Sequence, residues 1–241
     1  MSQATFSNRL IRCLTDEDYK ALRPHLEPVP LTARQVLVQR NAIVPYIYFP
    51  EAGQTSVLAK VAGSESIEVA MIGREGMTDL VPARKAPLET IVQVAGHGHR
   101  IDHDVFVKRM SQSLDLANLV AKWQHALLIL ISFTALSHGG FTVVERLARY
   151  MLMLHDRLDG DDIPLVHDYF AWMLAVRRAG VTEAFSHLRS IGAIETGRGR
   201  LRVIDRTLLV EAARGSYGPA EAEYERLFGW SISRSERESD A

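Results

Sequence analysis

The spacing of hydrophobic positions changes character twice along the chain. Between Asn8 and His25, Leu10, Ile11, Leu14 and Leu22 recur at helical intervals, with Leu26 just beyond. Thr15-Asp16-Glu17-Asp18 has the form of a helix start, so two short helices are predicted. From Pro30 the pattern shortens to β-rich runs at Val36–Val38, Tyr46–Phe49, Thr55–Val61, Ile67–Ile72 and Thr90–Val94, punctuated by Pro, Gly, Asn and Ser. Many short strands at regular intervals predict a barrel or sandwich. Ser66 to Met71 alternates strictly, so one face of that strand is apolar. After Asp102 the helical period returns. Val105, Phe106 and Met110 fit a short helix and Leu114–Leu136 a long one; Val143–Leu158 fits another, with Leu147, Tyr150, Met151 and Leu154 on one face. Ser137-His138-Gly139-Gly140 is the expected break between the two long helices. Asp159 to Pro164 is a turn and the natural boundary between domains. Ser231–Ala241 is almost wholly Ser, Arg, Glu and Asp, which predicts a disordered tail.

The segment from His167 to Ile204 has its own rhythm. Asp168–Leu174 reads as a short helix with Phe170, Ala171 and Leu174 inward. A three-residue turn, Ala175-Val176-Arg177, leads into Arg178–Ile191, whose buried face is Val181, Ala184, Phe185 and Leu188. Two helices joined so tightly match a helix-turn-helix. Ala193-Ile194-Glu195 and Leu201–Ile204 then flank Thr196-Gly197-Arg198-Gly199, a hairpin of the kind called a wing.

Charge changes the picture locally and not globally. The net charge of −1 gives no hint of a nucleic-acid partner, and 47% hydrophobic with 24% charged residues is ordinary for a globular protein. Yet Val176 to Arg206 holds seven arginines, Arg177, Arg178, Arg189, Arg198, Arg200, Arg202 and Arg206, against Glu183, Glu195 and Asp205. That is a local basic footprint suited to DNA, since arginine forks onto phosphate or onto guanine O6 and N7. Cys13 is the one cysteine, which excludes an intramolecular disulfide and a cysteine-ligated cluster. It reads as a small apolar residue of an N-terminal helix. Trp123 to Val144 lacks charge, but its continuously apolar part, Ala126–Ile131, is too short to cross a bilayer. The stretch reads as a helix buried in a core or against another subunit, and the absence of an apolar N-terminal run predicts a cytoplasmic protein with no membrane partner.

Taken in order, these segments resemble the Crp–Fnr superfamily of bacterial transcription regulators. The resemblance rests on Val144-Glu145-Arg146-Leu147-Ala148-Arg149, on Val176 to Ala184, on Gly192-Ala193-Ile194, and on the Arg-Gly-Arg wing ending at Ile204-Asp205-Arg206. Upstream, Tyr48-Phe49-Pro50 through Gly53 and Val69 through Met77 are similar to the β-roll of the same family. It spans roughly residues 7–230 and implies an α+β fold: a cyclic-nucleotide-binding-like β-roll, a long dimerisation helix and a C-terminal winged helix-turn-helix. The corresponding domains are 1–112, 113–138 and 139–230, with 231–241 as the tail. By matching positions, the resemblance puts Arg178, Ala179, Thr182 and Glu183 against bases, and Arg177 and Gly180 near phosphate. Arg198 and Arg200 would touch the backbone from the wing, and Gly73, Arg74, Glu75 and Gly76 would line an effector pocket. Double-stranded DNA and a second copy of the chain are the implied partners, with RNA polymerase and an unidentified small-molecule effector as further candidates.

Departures from the family pattern narrow the chemistry. Glu75 follows Arg74 where cyclic-nucleotide binders carry Gly-Glu, and Ala86-Pro87-Leu88-Glu89-Thr90-Ile91 supplies no arginine for a cyclic phosphate. Cyclic AMP binding and iron–sulfur sensing are therefore not expected. Ala175 stands at a turn position usually glycine, and Val166 cannot cap the first helix of the motif. His97, His99 and His103, with Asp102 and Asp104, have the composition of a metal site but read more simply as surface histidines of the β-roll. Glu145, Arg146 and Arg149 read as a solvated or interdomain salt-bridge face. No nucleophile elbow, phosphate loop or paired metal motif occurs, so neither an enzyme nor a cofactor is expected. The rival reading is a ligand-binding or interaction module whose helix-turn-helix no longer reads DNA.

Overall fold

A computed structural model describes residues 3–60, 66–78, 85–165, 167–197 and 200–234. The residues group into two compact units, Met1–Ala59 with Ala70–Leu127, and Lys60–Val69 with Leu128–Ala241.

The first unit opens with α1 (Arg9–Arg12) and α2 (Asp16–Leu22). Asn8 caps α1 by accepting from the Ile11 amide at 3.1 Å, and its amide group donates to the carbonyls of Pro50 at 2.8 Å and Gly76 at 2.9 Å. Every polar atom of this fully buried side chain is thus used. Thr15 caps α2 as its sequence predicts. The strands are β1 (Glu27–Leu31), β2 (Val36–Val38), β3 (Tyr46–Ala59), β4 (Ile67–Ile72) and β5 (Glu89–Asp102), in sheet order β1-β5-β3-β4 with β2 also on β5. The run Tyr46–Phe49 and the part Thr55–Ala59 of the next run are one strand, because β3 continues through bulges between Pro50 and Thr55, while Val61 lies outside the described residues. Gly53 makes this possible: its φ is +82°, and a Cβ there would lie 2.5 Å from the Val94 carbonyl oxygen. Leu31, Leu37, Val38, Val44, Tyr48 and Val92 close one core. Then come α3 (His103–Gln112), capped by Asp102, and α4 (Leu114–Gly140), whose first half belongs to this unit. Cys13 is exposed at the end of α1 and is not a core residue.

The second unit contains the rest of α4, α5 (Val143–Arg157), β6 (Asp162–Ile163), α6 (His167–Met173), α7 (Arg178–Ser190), β7 (Ile194–Gly197), β8 (Arg200–Val203), α8 (Arg206–Ala212) and α9 (Pro219–Phe228). Gly139 and Gly140 do not break α4, which runs through both. The break is made one step later by Thr142, which forms a capping box with Glu145 at the start of α5. Nor does Asp159–Pro164 separate domains. The turn feeds β6, which pairs with β8, so both its flanks lie in one unit.

Glu145, Arg146 and Arg149 are not a solvated face. Glu145 and Arg149 are buried: Glu145 accepts from the Thr142 amide at 2.7 Å and pairs with Arg214 at 3.2 Å, within one unit, and the Arg149 guanidinium donates to the Ser216 carbonyl at 2.9 Å and to Thr134 at 3.3 Å. Strand alternation also misleads at β4, where Ile67 is exposed and Glu68 is buried. The carboxylate turns inward because Tyr150 donates to it at 2.9 Å. Of the tail, Ser231–Arg234 is held down. Ile232 is buried, the Arg234 amide donates to Asp156 at 3.0 Å, and its guanidinium donates to the Gly160 carbonyl at 2.7 Å. Residues 235–241 lie outside the described residues, as does Val166.

Candidate nucleic-acid interface

The pair α6 and α7 is built on aromatic packing. Phe170 meets Phe185 edge-on at 5.2 Å and Tyr150 of α5 at 5.8 Å, while Val181, Ala184, Phe185 and Leu188 form the buried stripe of α7. Between the helices Ala175 adopts φ +51°, the left-handed conformation that costs an L-residue about 1–2 kcal/mol. The strain is sustained by the turn around it, where the Ala175 amide donates to the Trp172 carbonyl and the Val176 amide to that of Ala171.

With that stripe buried, the opposite face of α7 is presented to solvent. Arg177, Arg178, Ala179, Thr182 and Glu183 are all exposed there, and Gly180 is half-buried. Arg177 occupies the N-cap and makes no side-chain capping bond, so the first amides of this 13-residue helix have no cap from it. β7 and β8 form the predicted wing, with Gly197 opposite Arg200 at its tip. Arg200 is exposed and 3.6 Å from Asp162, whereas Arg198 lies outside the described residues.

The basic footprint is smaller than a count of arginines suggests. Arg206 points into the protein, bonded to the fully buried carboxylate of Asp156 at 2.6 Å and to the Tyr217 hydroxyl at 2.6 Å. Burial raises both the Asp156 and Tyr217 pKa values and lowers that of His155, which is 3.1 Å from Arg206. Arg189 spans from α7 to the wing, contacting Thr196 at 3.3 Å and Ser186 at 3.1 Å. Sequence reasoning also missed β6, α8 and α9; two residues of strand carry no readable period.

The turn Gly73–Gly76 is closed from two sides. Glu75 is buried and accepts from the Gly73 amide at 3.1 Å, and the Arg74 carbonyl accepts from the Arg9 amide at 2.7 Å. Trp123 of α4 lies directly on Gly76, where a Cβ would be 2.2 Å from the indole. Of the three β-roll histidines, His97 is exposed but His103 is buried, so the last is no surface residue. Among the described residues no group of three His, Cys, Asp or Glu is placed to hold a metal ion.

The remaining feature is the outer surface of α4. Leu114, Asn118, Ala121, His125, Leu128, Ser132, Ala135 and Gly139 recur at alternating steps of four and three residues, and all are exposed. By length and a mean hydropathy of 1.5 this helix could cross a membrane, yet only 28% of its apolar window is buried within the chain.

Residues 145–212 match the Crp-like helix-turn-helix domain. Among solved structures, FixK2 from Bradyrhizobium japonicum superposes with a TM-score of 0.69 at 15% identity, covering 78% of this chain and 96% of that one. A transcriptional regulator of the Crp/Fnr family from Eubacterium rectale gives 0.64 at 13% identity, with 86% and 98% coverage. A CRP-family transcriptional regulator from Thermus thermophilus gives 0.64 at 17%, with 78% and 97%. No curated protein matches the chain by sequence. The chain thus carries a Crp-like helix-turn-helix domain on the fold of the Crp/Fnr transcription regulators.

Proposed function

We propose that the protein is a cytoplasmic, non-enzymatic transcription regulator that reads a two-fold symmetric DNA site as a homodimer. The observation that carries this is the outward face of α7, where Arg177, Arg178, Ala179, Thr182 and Glu183 stand clear of the packed stripe. A helix so placed in a Crp-like domain enters the major groove, with Arg178 reading guanine and Arg177 near phosphate, while Arg198 and Arg200 reach the backbone from the wing. The second copy is argued from α4. The exposed stripe has the alternating four-and-three spacing of a coiled-coil seam, with the apolar residues Leu114, Ala121, Leu128 and Ala135 at every other place. Asn118, His125 and Ser132 within it would be costly against lipid and are ordinary between helices.

An effector at Gly73, Arg74, Glu75 and Gly76 would have to displace the Trp123 indole, and so would act on α4 directly. It would shift the dimer only by binding one arrangement of α4 more tightly than the other. Selection from a random duplex library, without ligand and at stated salt, tests the reading. A palindrome with half-sites about one helical turn apart is the expected product. No enriched motif would leave two readings, a regulator that requires an effector or a module whose helix-turn-helix does not read DNA. Arg178→Ala should cost roughly 1–3 kcal/mol and relax preference at one base pair; a loss equal for all sequences would make Arg178 a phosphate contact instead.

A further inference from the structure

The elbow where α4 meets α5 encloses a small polar cavity within the second unit. Thr134, Ser137 and His138 of α4, Arg146, Arg149 and Tyr150 of α5, the end of α6 at Leu174, and Glu68 contribute to its walls. The volume open to the centre of a water-sized sphere is about 10 Å³, which is room for one such body.

The charges around this space do not balance inside it. Glu68 is the one carboxylate of the lining, and it already accepts from Tyr150. Arg149 is engaged by Ser216 and Thr134. Arg146 gives a terminal nitrogen to the Leu174 carbonyl and lies 2.6 Å from His138 Nδ1, but its Nε is buried with no acceptor among the described residues. Burial, then Arg146, then Arg149 hold the His138 pKa down at about 4, so the imidazole is neutral and adds no charge of its own. Glu221 and Glu68, both buried, answer the charge of Arg149, so the guanidinium left without a carboxylate among the described residues is that of Arg146, and its Nε has no acceptor there. An unmatched buried charge and an unanswered N–H both favour an acceptor carrying negative charge.

We propose that this cavity binds a monatomic monovalent anion, chloride or bromide in size, held chiefly by Arg146 with Arg149 behind it. Tetrahedral oxyanions such as sulfate and phosphate exceed the room. Bound there, the ion links the end of α4 to α5 and stiffens the elbow. The proposal does not rest on DNA reading, and neither of its readouts involves DNA.

The test uses the full chain at constant ionic strength, with sodium chloride or bromide replacing sodium gluconate. Halide should raise the melting temperature saturably, by about 3 °C at tenfold excess over half-saturation. In the same series the His138 ring proton, followed by NMR, should titrate at a higher pH once the anion offsets Arg146 and Arg149. Arg146→Gln should abolish both effects. Ser137→Val, which keeps all charges, should fold and weaken the halide response several-fold. Equal melting and equal His138 titration in chloride and gluconate would mean that the cavity holds water alone, and would overturn the proposal.

Discussion

Helices α4 and α5 follow one another in the chain, the first almost free of charge and the second carrying Glu145, Arg146, Arg149, Asp156 and Arg157, yet it is the charged one that is buried. In α5 eleven of fifteen residues are buried, among them Glu145, Arg149, His155 and Arg157. In α4 less than a third of the apolar window is buried, and Leu114, Leu128 and Leu136 are each more than half exposed. Burial in α5 follows from partners supplied by distant segments, Glu68, Ser216 and Arg214 among them. In α4 the described chain leaves much of an apolar surface without cover of its own. Apolarity says that a surface wants cover, and the spacing of exposed positions says what kind.

The strongest way to break this contrast is Leu128→Glu. In a parallel seam it sets two carboxylates face to face and removes a buried leucine pair, so dimer affinity should fall at least about 100-fold. Light scattering should find a monomer where the parent chain is a dimer, whereas Lys122→Glu, off the seam, should change nothing. A parent chain already monomeric would sink the seam. Next is Arg149→Met, which leaves buried carboxylates short of a partner and should cost about 3 kcal/mol in denaturant unfolding. A loss below about 0.5 kcal/mol, the ordinary range for surface sites, would mean that α5's charges are solvated after all.

A third effect depends on pH. The His138 pKa is held at about 4 in the folded chain against 6.5 ordinarily. Between those values the unfolded chain takes up a proton that the folded chain refuses, so stability falls as pH drops from 6.5 toward 4 and levels off below. His138→Gln should flatten that part of the profile, and an unchanged slope would remove His138 from the elbow's electrostatics. Smallest is Ala175→Gly, which relieves the left-handed strain between α6 and α7 and should stabilise by about 0.5–1 kcal/mol after glycine's entropic cost. A neutral or negative result would show that the turn does not hold Ala175 in that conformation in solution.

The helix-turn-helix was legible because both its helices show a clean period and because the turn between them is short. Val181, Ala184, Phe185 and Leu188 are inward as their spacing requires. The turn Gly73–Gly76 was legible as text, but its occupant was not. Trp123 is 47 positions from Gly76, and no local period says which side chain of α4 will lie there. The arginine count around α7 was misleading for a related reason. Composition cannot tell that Arg206 finds Asp156 and turns inward while Arg177 does not. Glu68 defeated strand alternation because its burial is decided by Tyr150, on a helix that comes much later in the chain.

That placement of Glu68 bears on how such a chain can be recombined. The second unit is not a continuous stretch: Lys60–Val69 belongs to it although the next 58 residues, through Leu127, do not. A crossover anywhere from residue 70 to residue 127 would pair a borrowed α5 with a resident Glu68 position, and Tyr150 would meet whatever the other parent carries there. The second unit of this protein is therefore not a cassette that evolution or an engineer can exchange by one cut. Grafts should be judged by whether they carry Glu68 along with the Tyr150 from which it accepts.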